Sequence, residues 1–360
     1  MGVHGDMFEE QGVPQSSSFN LYRGDALKAY SRWPAPNVIV SDGAYGVRGF
    51  HGDTTGPEGL VDWYRPHVKA WSELAHPGTV LWFWNTEIGW ASVHPLLDQN
   101  GWDYVECCIW DKGIAHIAGN VNGHTIRRFP VVSEVCVLYQ RRLEINTPDA
   151  GRMTVQQWMR YEWQRAGLPL HLANEACNVK NAATRKYLTQ DWLWYWPPPE
   201  MMEKLVEYAN EHGQRDGWPY YSLDGRQPVT AKEWARLRYK WNHTHGVTNV
   251  WQHPALHSQE RLRGGGRRSA PRVYNPSARS TTHLNQKPLA LMQRALHAVV
   301  EPGDVVWEPF GGLATASVAA LRLGCDAYVA ECDGEFAKLA YQRLKQAASE
   351  LVLLGADEDE

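Results

Sequence analysis

The most regular pattern along the chain is a series of short apolar runs, rich in β-branched and aromatic residues, each closed by a polar or glycine-bearing turn and separated by stretches of helical periodicity. Asn37-Val38-Ile39-Val40 reads as a buried strand that stops at once in Ser41-Asp42-Gly43-Ala44-Tyr45-Gly46, a turn holding one carboxylate and one aromatic ring. Further strands are predicted at 21–25, 79–84, 104–110 and 131–140, with helices over 60–75 and 88–100 between them. Strands alternating with helices predict an α/β fold with a doubly wound, mostly parallel sheet, whose ligands sit at the carboxyl ends of the strands. The glycine-rich stretch 46–59 is long enough to serve as a lid.

From about residue 144 the pattern changes. Thr154-Val155-Gln156-Gln157 predicts a capping box opening a helix to about residue 166. Two short helices, 168–176 and 181–188, are expected around the turn Cys177-Asn178-Val179. That spacing fits a helix-turn-helix presenting Thr184, Arg185 and Lys186 to a DNA groove, and equally an ordinary helical hairpin. The run Trp192-Leu193-Trp194-Tyr195-Trp196 could stack on bases, although alternating aromatics more often pack into a small core. Residues 259–280 lack periodicity and are rich in Arg, Gly, Ser and Pro, either a solvated loop or a segment ordered by phosphates through Arg263, Arg267 and Arg268.

The sheet pattern then resumes, with a helix over 283–300, a strand at 304–307, the turn Glu308-Pro309-Phe310-Gly311-Gly312, a helix, and a strand at 327–330 ending in Glu331. Such a succession is that of a nucleoside-binding half-fold. The glycines admit a ligand to the backbone, the helix N-terminus favours its carboxylate, and the acid after the next strand accepts ribose hydroxyls. The expected organisation is a disordered leader at 1–18, half of the sheet at 19–143, a mainly helical insertion at 144–280, the other half at 281–352 and an acidic tail at 353–360.

Composition narrows the setting. The chain has 360 residues, enough for about two domains, with 43% hydrophobic and 21% charged residues, as in an ordinary globular protein. A net charge of −4 does not advertise nucleic-acid binding, but it averages over an arginine-crowded segment and an acidic end. No apolar run is long enough to span a membrane, and the polar N-terminus has no secretory pattern. Six scattered cysteines without a CxxC pair argue against zinc and against a disulfide framework, so a cytoplasmic location is expected.

Together these residues resemble the β-class amino DNA methyltransferases, in which the catalytic strand precedes the cofactor-binding strand. Glu308-Pro309-Phe310-Gly311-Gly312 is similar to the family's D-P-F-x-G-x-G turn, and His283-Leu284-Asn285-Gln286-Lys287-Pro288-Leu289 to its H-P-T-Q-K-P-L segment. Asp42-Gly43-Ala44-Tyr45 stands in the place of D-P-P-Y, and the strand ending at Asp25 in that of the short upstream strand. The resemblance implies a Rossmann-like methyltransferase sheet with an inserted target-recognition region, S-adenosylmethionine as cofactor and double-stranded DNA as substrate. It further implies a homodimer and a paired restriction endonuclease. Asp25, Asn285, Lys287, Glu308, Phe310, Gly311, Gly312 and Glu331 are then expected to bind the cofactor, and Asp42, Gly43, Ala44 and Tyr45 to handle the base.

The chemistry accounts for these residue types. An exocyclic amine on adenine or cytosine is a poor nucleophile because its lone pair is delocalised into the ring. Two acceptors on its hydrogens, the Asp42 carboxylate and the Gly43 carbonyl, favour a pyramidal nitrogen, while Tyr45 stacks on a base rotated out of the duplex. In-line alignment supplies most of the rest, and no nucleophilic cysteine is needed. Several positions depart from the family pattern, Glu308 for aspartate among them. Gly43 and Ala44 replace both prolines, giving up rigidity worth roughly 1 kcal/mol, so a catalytically impaired DNA-binding relative is an alternative. Ala314 replaces the last turn glycine and Asn285 a threonine. Aspartate at the first tetrad position goes with adenine N6 transfer in the family. Cytosine N4 is the alternative, and its serine register, starting at Ser41, would put Ala44 in the aromatic place.

Overall fold

The structure, a computed structural model, describes residues 17–47, 56–116, 125–214, 217–256 and 286–356. Residues 48–55 of the lid-like segment, the arginines Arg263, Arg267 and Arg268, Asn285 and the acidic end lie outside these described residues. The chain forms two compact units, one from the residues up to Arg141 and from Lys240 onward, the other Arg142–Tyr239.

The first unit is built on an eight-stranded sheet. Its early strands are β1 (Phe19–Arg23), β2 (Val38–Ser41), β3 (Val80–Asn85), β4 (Trp102–Asp111) and β5 (Ser133–Arg141), with helices α1 (Leu60–Leu74) and α2 (Glu87–Gln99). All of β2 and β3 is buried, which explains why both read as continuous rather than alternating apolar runs. Along α1 the buried residues Leu60, Tyr64, His67, Val68 and Trp71 recur at helical spacing and form one inward face. They join Tyr30, Trp33, Phe83 and Trp307 in an aromatic core.

The second unit opens with the hairpin β6 (Glu144–Thr147) and β7 (Gly151–Thr154), followed by α3 (Val155–Arg165), α4 (Leu172–Ala176), α5 (Ala182–Tyr187), α6 (Pro199–His212) and α7 (Ala231–Arg236). The capping box read in the sequence is present, with Thr154 and Gln157 bonded reciprocally. Trp158, Met159, Trp163, Tyr221 and Trp234 centre its core. A buried Glu162–Arg165 pair at 2.7 Å is completed by the Tyr221 N–H on the carboxylate and by the Trp218 and Pro219 carbonyls on the guanidinium. The aromatic run divides: Trp194 and Trp196 pack against this core, whereas Trp192 and Tyr195 are 88% and 61% exposed.

The chain then returns to the first unit through β8 (Val250–Gln252), α8 (Leu289–His297), β9 (Val305–Glu308), α9 (Thr315–Arg322), β10 (Asp326–Glu331) and α10 (Gly334–Ala356). The second compact unit ends at Tyr239, and residues 257–280 of the expected insertion lie outside the described residues. Residues 250–252 extend the main sheet beside Ile109–Asp111 with Trp251 buried, a strand too short to announce itself by periodicity. Helix α8 starts at Leu289 rather than at 283, with Pro288 in extended backbone at its N-cap.

Strand order is β1-β10-β9-β2-β3-β5-β4-β8. Only β5 runs antiparallel to its neighbours, so the sheet is mostly parallel as expected. Strands β2 and β9 lie side by side although Val38 pairs with Val306 far along the chain. From these two strands the connections leave toward opposite edges of the sheet, which makes their carboxyl ends a topological switch point.

Candidate active site

The turn after β2 is held from several directions. Tyr64 of α1 donates its hydroxyl to the Ala44 carbonyl at 3.1 Å, and the buried Asn85 amide at the end of β3 donates to the same oxygen at 2.9 Å. A Cβ added to Gly43 would lie 2.7 Å from Phe310 Cδ2 and 2.8 Å from Tyr64 Oη. Only glycine therefore fits against these two rings, and Phe310 ties the turn after β2 to the turn after β9. The Tyr45 hydroxyl donates to Asp42 Oδ1 at 2.7 Å. Among the described residues, no donor reaches Asp42 Oδ2 or the Gly43 carbonyl.

Lys287, expected at the cofactor end, belongs to this corner instead. Its ammonium donates to Asp42 Oδ1 at 2.8 Å, approaches Glu134 Oε2 at 3.3 Å, and lies 5.0 Å and 5.6 Å from the ring centroids of Tyr45 and Trp84. Glu134, on β5, is bonded in turn by Lys112 just beyond β4. Lys287 is 3% exposed, and although burial disfavours its charge, Asp42 and Glu134 together hold its pKa above the ordinary lysine value. Burial likewise works against Glu134, yet Lys287 and Lys112 keep its carboxyl below the usual range. Burial and the neighbouring carboxylates push the Tyr45 phenol well up, so it remains a donor.

The turn after β9 is organised by its backbone. The Gly311 N–H donates to the Ala330 carbonyl at 2.8 Å, and the Gly312 N–H to Glu331 Oε2 at 2.6 Å. A Cβ on Gly311 would meet Val329 at 2.4 Å, which explains the glycine. Ala314 adopts φ 55° at the N-cap of α9, a left-handed conformation suited to the glycine that the family pattern has there. Glu308 turns its carboxylate to the start of α9. It is 3% exposed, and its carboxylate accepts from the Ala316 and Ser317 N–H groups and the Ser317 hydroxyl at 2.6–3.1 Å. The N–H groups expected to meet a ligand carboxylate thus serve Glu308, and burial outweighs them, pushing its carboxyl up to about 7.

Glu331 and Asp25 stand at the carboxyl ends of the paired strands β10 and β1. The Gly24 N–H donates to the Glu331 carbonyl at 2.8 Å, and Glu331 Oε1 accepts from the Asp333 N–H at 2.7 Å. Asp25 is exposed and caps the short helix Ala26–Lys28 through the Leu27 N–H. Phe310 packs edge-on against His67 at 4.9 Å and beside Trp63 at 5.0 Å. Burial lowers the His67 pKa to about 4, so the ring is neutral, with Nδ1 sharing a hydrogen bond with Tyr30 Oη at 2.9 Å.

A family model described as DNA methylase, of the N6/N4 type, matches residues 37–342. The chain belongs to this DNA methylase family. The methylase is also 35% identical over 78 residues to the DNA adenine methyltransferase YhdJ of Escherichia coli (strain K12), a match covering 22% of the chain and 26% of that relative. It thus spans about a quarter of the length of the curated relative it matches. Similar solved structures include the M1.HpyAVI–SAM complex, at 13% identity and TM-score 0.45, covering 91% of this chain and 98% of that one. The cytosine-N4-specific PvuII DNA methyltransferase is 12% identical at TM-score 0.45, with 93% of each chain covered.

The methylase brings together Asp42, Gly43, Ala44, Tyr45 and Lys287 in one corner, with Phe310 bridging to Gly311, Gly312, Glu331 and Asp25 in the next. On the insertion, α4 and α5 are five and six residues long, joined through Asn178 at φ 53°, so the predicted hairpin is present but shorter. Thr184 is turned inward: its N–H bonds Asn174 and its hydroxyl the Leu170 carbonyl, at 3.2 and 2.7 Å. Arg185 and Lys186 are exposed. Sequence reasoning missed Tyr64, Asn85, Glu134 and Lys112. The available signal was a charge beside each of two apolar runs, Lys112 after one and Glu134 before the other, which strand register joins by pairing Trp110 with Glu134. Among the described residues, no His, Cys, Asp or Glu cluster is placed to hold a metal, and no helix is long and apolar enough to cross a membrane.

Proposed function

We propose that the methylase transfers a methyl group from S-adenosylmethionine to the exocyclic amine of a base turned out of duplex DNA, with adenine N6 as the target. The observation that carries this reading is the pair of acceptors at the end of β2, the Asp42 carboxylate and the Gly43 carbonyl, set against the glycine turn after β9 through Phe310. Oδ1 of Asp42 is taken by Tyr45 and Lys287, which leaves Oδ2 and the Gly43 carbonyl for the two amine hydrogens. Drawing on both hydrogens pyramidalises the nitrogen and frees its lone pair. Asp42 is also the nearest base for the proton that the methylated nitrogen sheds. The Tyr45 ring, pinned beside Asp42, offers a stacking surface for the extruded base.

The residues fit the cofactor. Gly311 leaves no room for a side chain above β10, and Glu331 and Asp25 place two carboxylates at neighbouring strand ends. Gly312, Phe310, Glu331 and Asp25 would hold it, with Glu331 and Asp25 accepting from its hydroxyl and ammonium groups. The bound cofactor supplies the methyl group as an electrophile. Two observations favour adenine. Ser41, the starting residue of the cytosine-type register, is fully buried as the last residue of β2 and paired with Phe83. The matched segment of the Escherichia coli relative also comes from an adenine methyltransferase.

Duplex DNA incubated with the protein and cofactor, digested and analysed by mass spectrometry, is expected to yield N6-methyladenine. N4-methylcytosine would overturn the choice of base. No methylated amine, with cofactor binding intact, would overturn the activity and leave a DNA-binding relative.

A further inference from the structure

We propose that Lys287, Glu134 and Lys112 form a chain of alternating charge that positions the Asp42 carboxylate for methyl transfer, with Lys287 and Glu134 as positioning residues of the reaction. The inference rests on the activity proposed above. Its geometry is that of four charged groups in sequence. Asp42 Oδ1 receives Lys287 at 2.8 Å, Lys287 reaches Glu134 Oε2 at 3.3 Å, and Lys112 bonds Glu134 Oε1. The side chains are 17%, 3%, 16% and 12% exposed in that order, so solvent screens them far less than it would a surface ion pair.

Each link has a reason. One carboxylate oxygen must be fixed so that the other points at the amine, and Lys287 fixes Oδ1 together with the Tyr45 hydroxyl. A lone ammonium there would oppose the positive charge that develops on the attacking nitrogen. Glu134 cancels that charge, and Lys112 prevents Glu134 from standing as an uncompensated buried anion. The four groups sum to zero, so the developing cation meets the Asp42 carboxylate without a net opposing field. The groups around Glu134 are Lys112 beyond β4, Lys287 ahead of α8, Asp42 and Tyr45 after β2, and on its own strand Cys136, whose thiol burial keeps protonated. Asp111, at the end of β4, is turned to the Gly113 N–H.

The pH dependence follows with a definite sign. Glu134 is kept ionised by its two cations against burial. Removing Lys287 takes away one cation, the Glu134 pKa rises, and activity that needs the ionised form is lost at higher pH than in the wild type.

The test is kcat as a function of pH for the wild type, Lys287→Met, Lys287→Arg and Glu134→Gln, with cofactor affinity measured on each to verify folding. Glu134→Gln is expected to lower kcat about tenfold or more while changing KM for DNA less than about threefold. Lys287→Met is expected to lower kcat at least as far and to move the acid limb upward by about one pH unit or more. Lys287→Arg, which keeps the charge, is expected to return the acid limb to the wild-type position. Wild-type kcat and an unmoved acid limb in Lys287→Met, or an arginine variant as impaired as the methionine one, would overturn the proposal. A readout without turnover is the ¹³C-carboxyl NMR titration of Glu134, recognised by its loss in Glu134→Gln. An upward shift in Lys287→Met supports the chain, and superimposable titrations overturn it. Should Lys287→Met fail to fold, Lys112→Met is expected to shift the same signal in the same direction. If the wild type transfers no methyl group, the proposed activity fails, and the NMR titration still decides this inference.

Discussion

The two turns at the carboxyl ends of β2 and β9 lie beside each other, yet they are held in different ways. Around the turn after β9, order comes from the backbone: Gly311 and Gly312 donate to Ala330 and Glu331, and Glu308 satisfies the start of α9 from within. Around the turn after β2, order comes from side chains on other elements: Tyr64 and Asn85 on the Ala44 carbonyl, Phe310 against Gly43, Lys287 on Asp42. The family's prolines would stiffen this second turn locally. Here the space that a proline ring needs at Gly43 is filled by Phe310 and Tyr64, so rigidity is supplied by neighbours rather than by the chain itself.

Substitutions at each turn sharpen this contrast. The largest effect is expected for Asp42→Asn, which removes the anion from the turn after β2 and leaves the turn after β9 intact. Single-turnover methyl transfer should fall by about 10²–10³-fold, with cofactor affinity, read by calorimetry, unchanged. Gly43→Ala should destabilise the protein by about 1–3 kcal/mol in chemical denaturation and lower the transfer rate, because its Cβ must displace two packed rings. A Gly43→Pro variant more stable than the wild type would contradict the view that neighbours took over the proline's task.

At the other turn the effect is one of pH. The Glu308 carboxyl titrates near 7 when folded against an ordinary value of 4.5, so between these values the native state binds more protons than the unfolded chain. Stability relative to Glu308→Gln should therefore fall as pH rises from about 4.5 to about 7, as thermal melts across that range would show. The smallest effect is expected for Ala314→Gly. Relief of a left-handed alanine, about 1–2 kcal/mol, is offset by about 0.5–1 kcal/mol of backbone entropy and by a lost buried methyl, for a net change in unfolding free energy below about 1 kcal/mol.

Much of this arrangement is legible in the sequence because it is local. The buried runs of β2 and β3, the capping box at Thr154 and the glycine turn after β9 each follow from residues within a few positions of one another. What was illegible depends on register across the sheet. Glu134 and Lys112 meet only because β4 and β5 pair antiparallel, and Lys287 bonds Asp42 across 245 positions of the chain. Motif likeness assigned Lys287 and Glu308 to the cofactor, and in the structure one bonds Asp42 and the other the start of α9. The three-residue β8 shows the same limit, since a single buried Trp251 leaves no periodicity to read.

The most direct test of the account is a crystal structure of the protein with a non-reactive sulfonium-cofactor analogue and a duplex that it methylates. The target amine is expected within hydrogen-bonding distance of both the Asp42 carboxylate and the Gly43 carbonyl, with Lys287 still on the other carboxylate oxygen and the Tyr45 ring stacked on the base. An amine bonded to other groups, or a base still paired in the duplex while the cofactor site is filled, would contradict it.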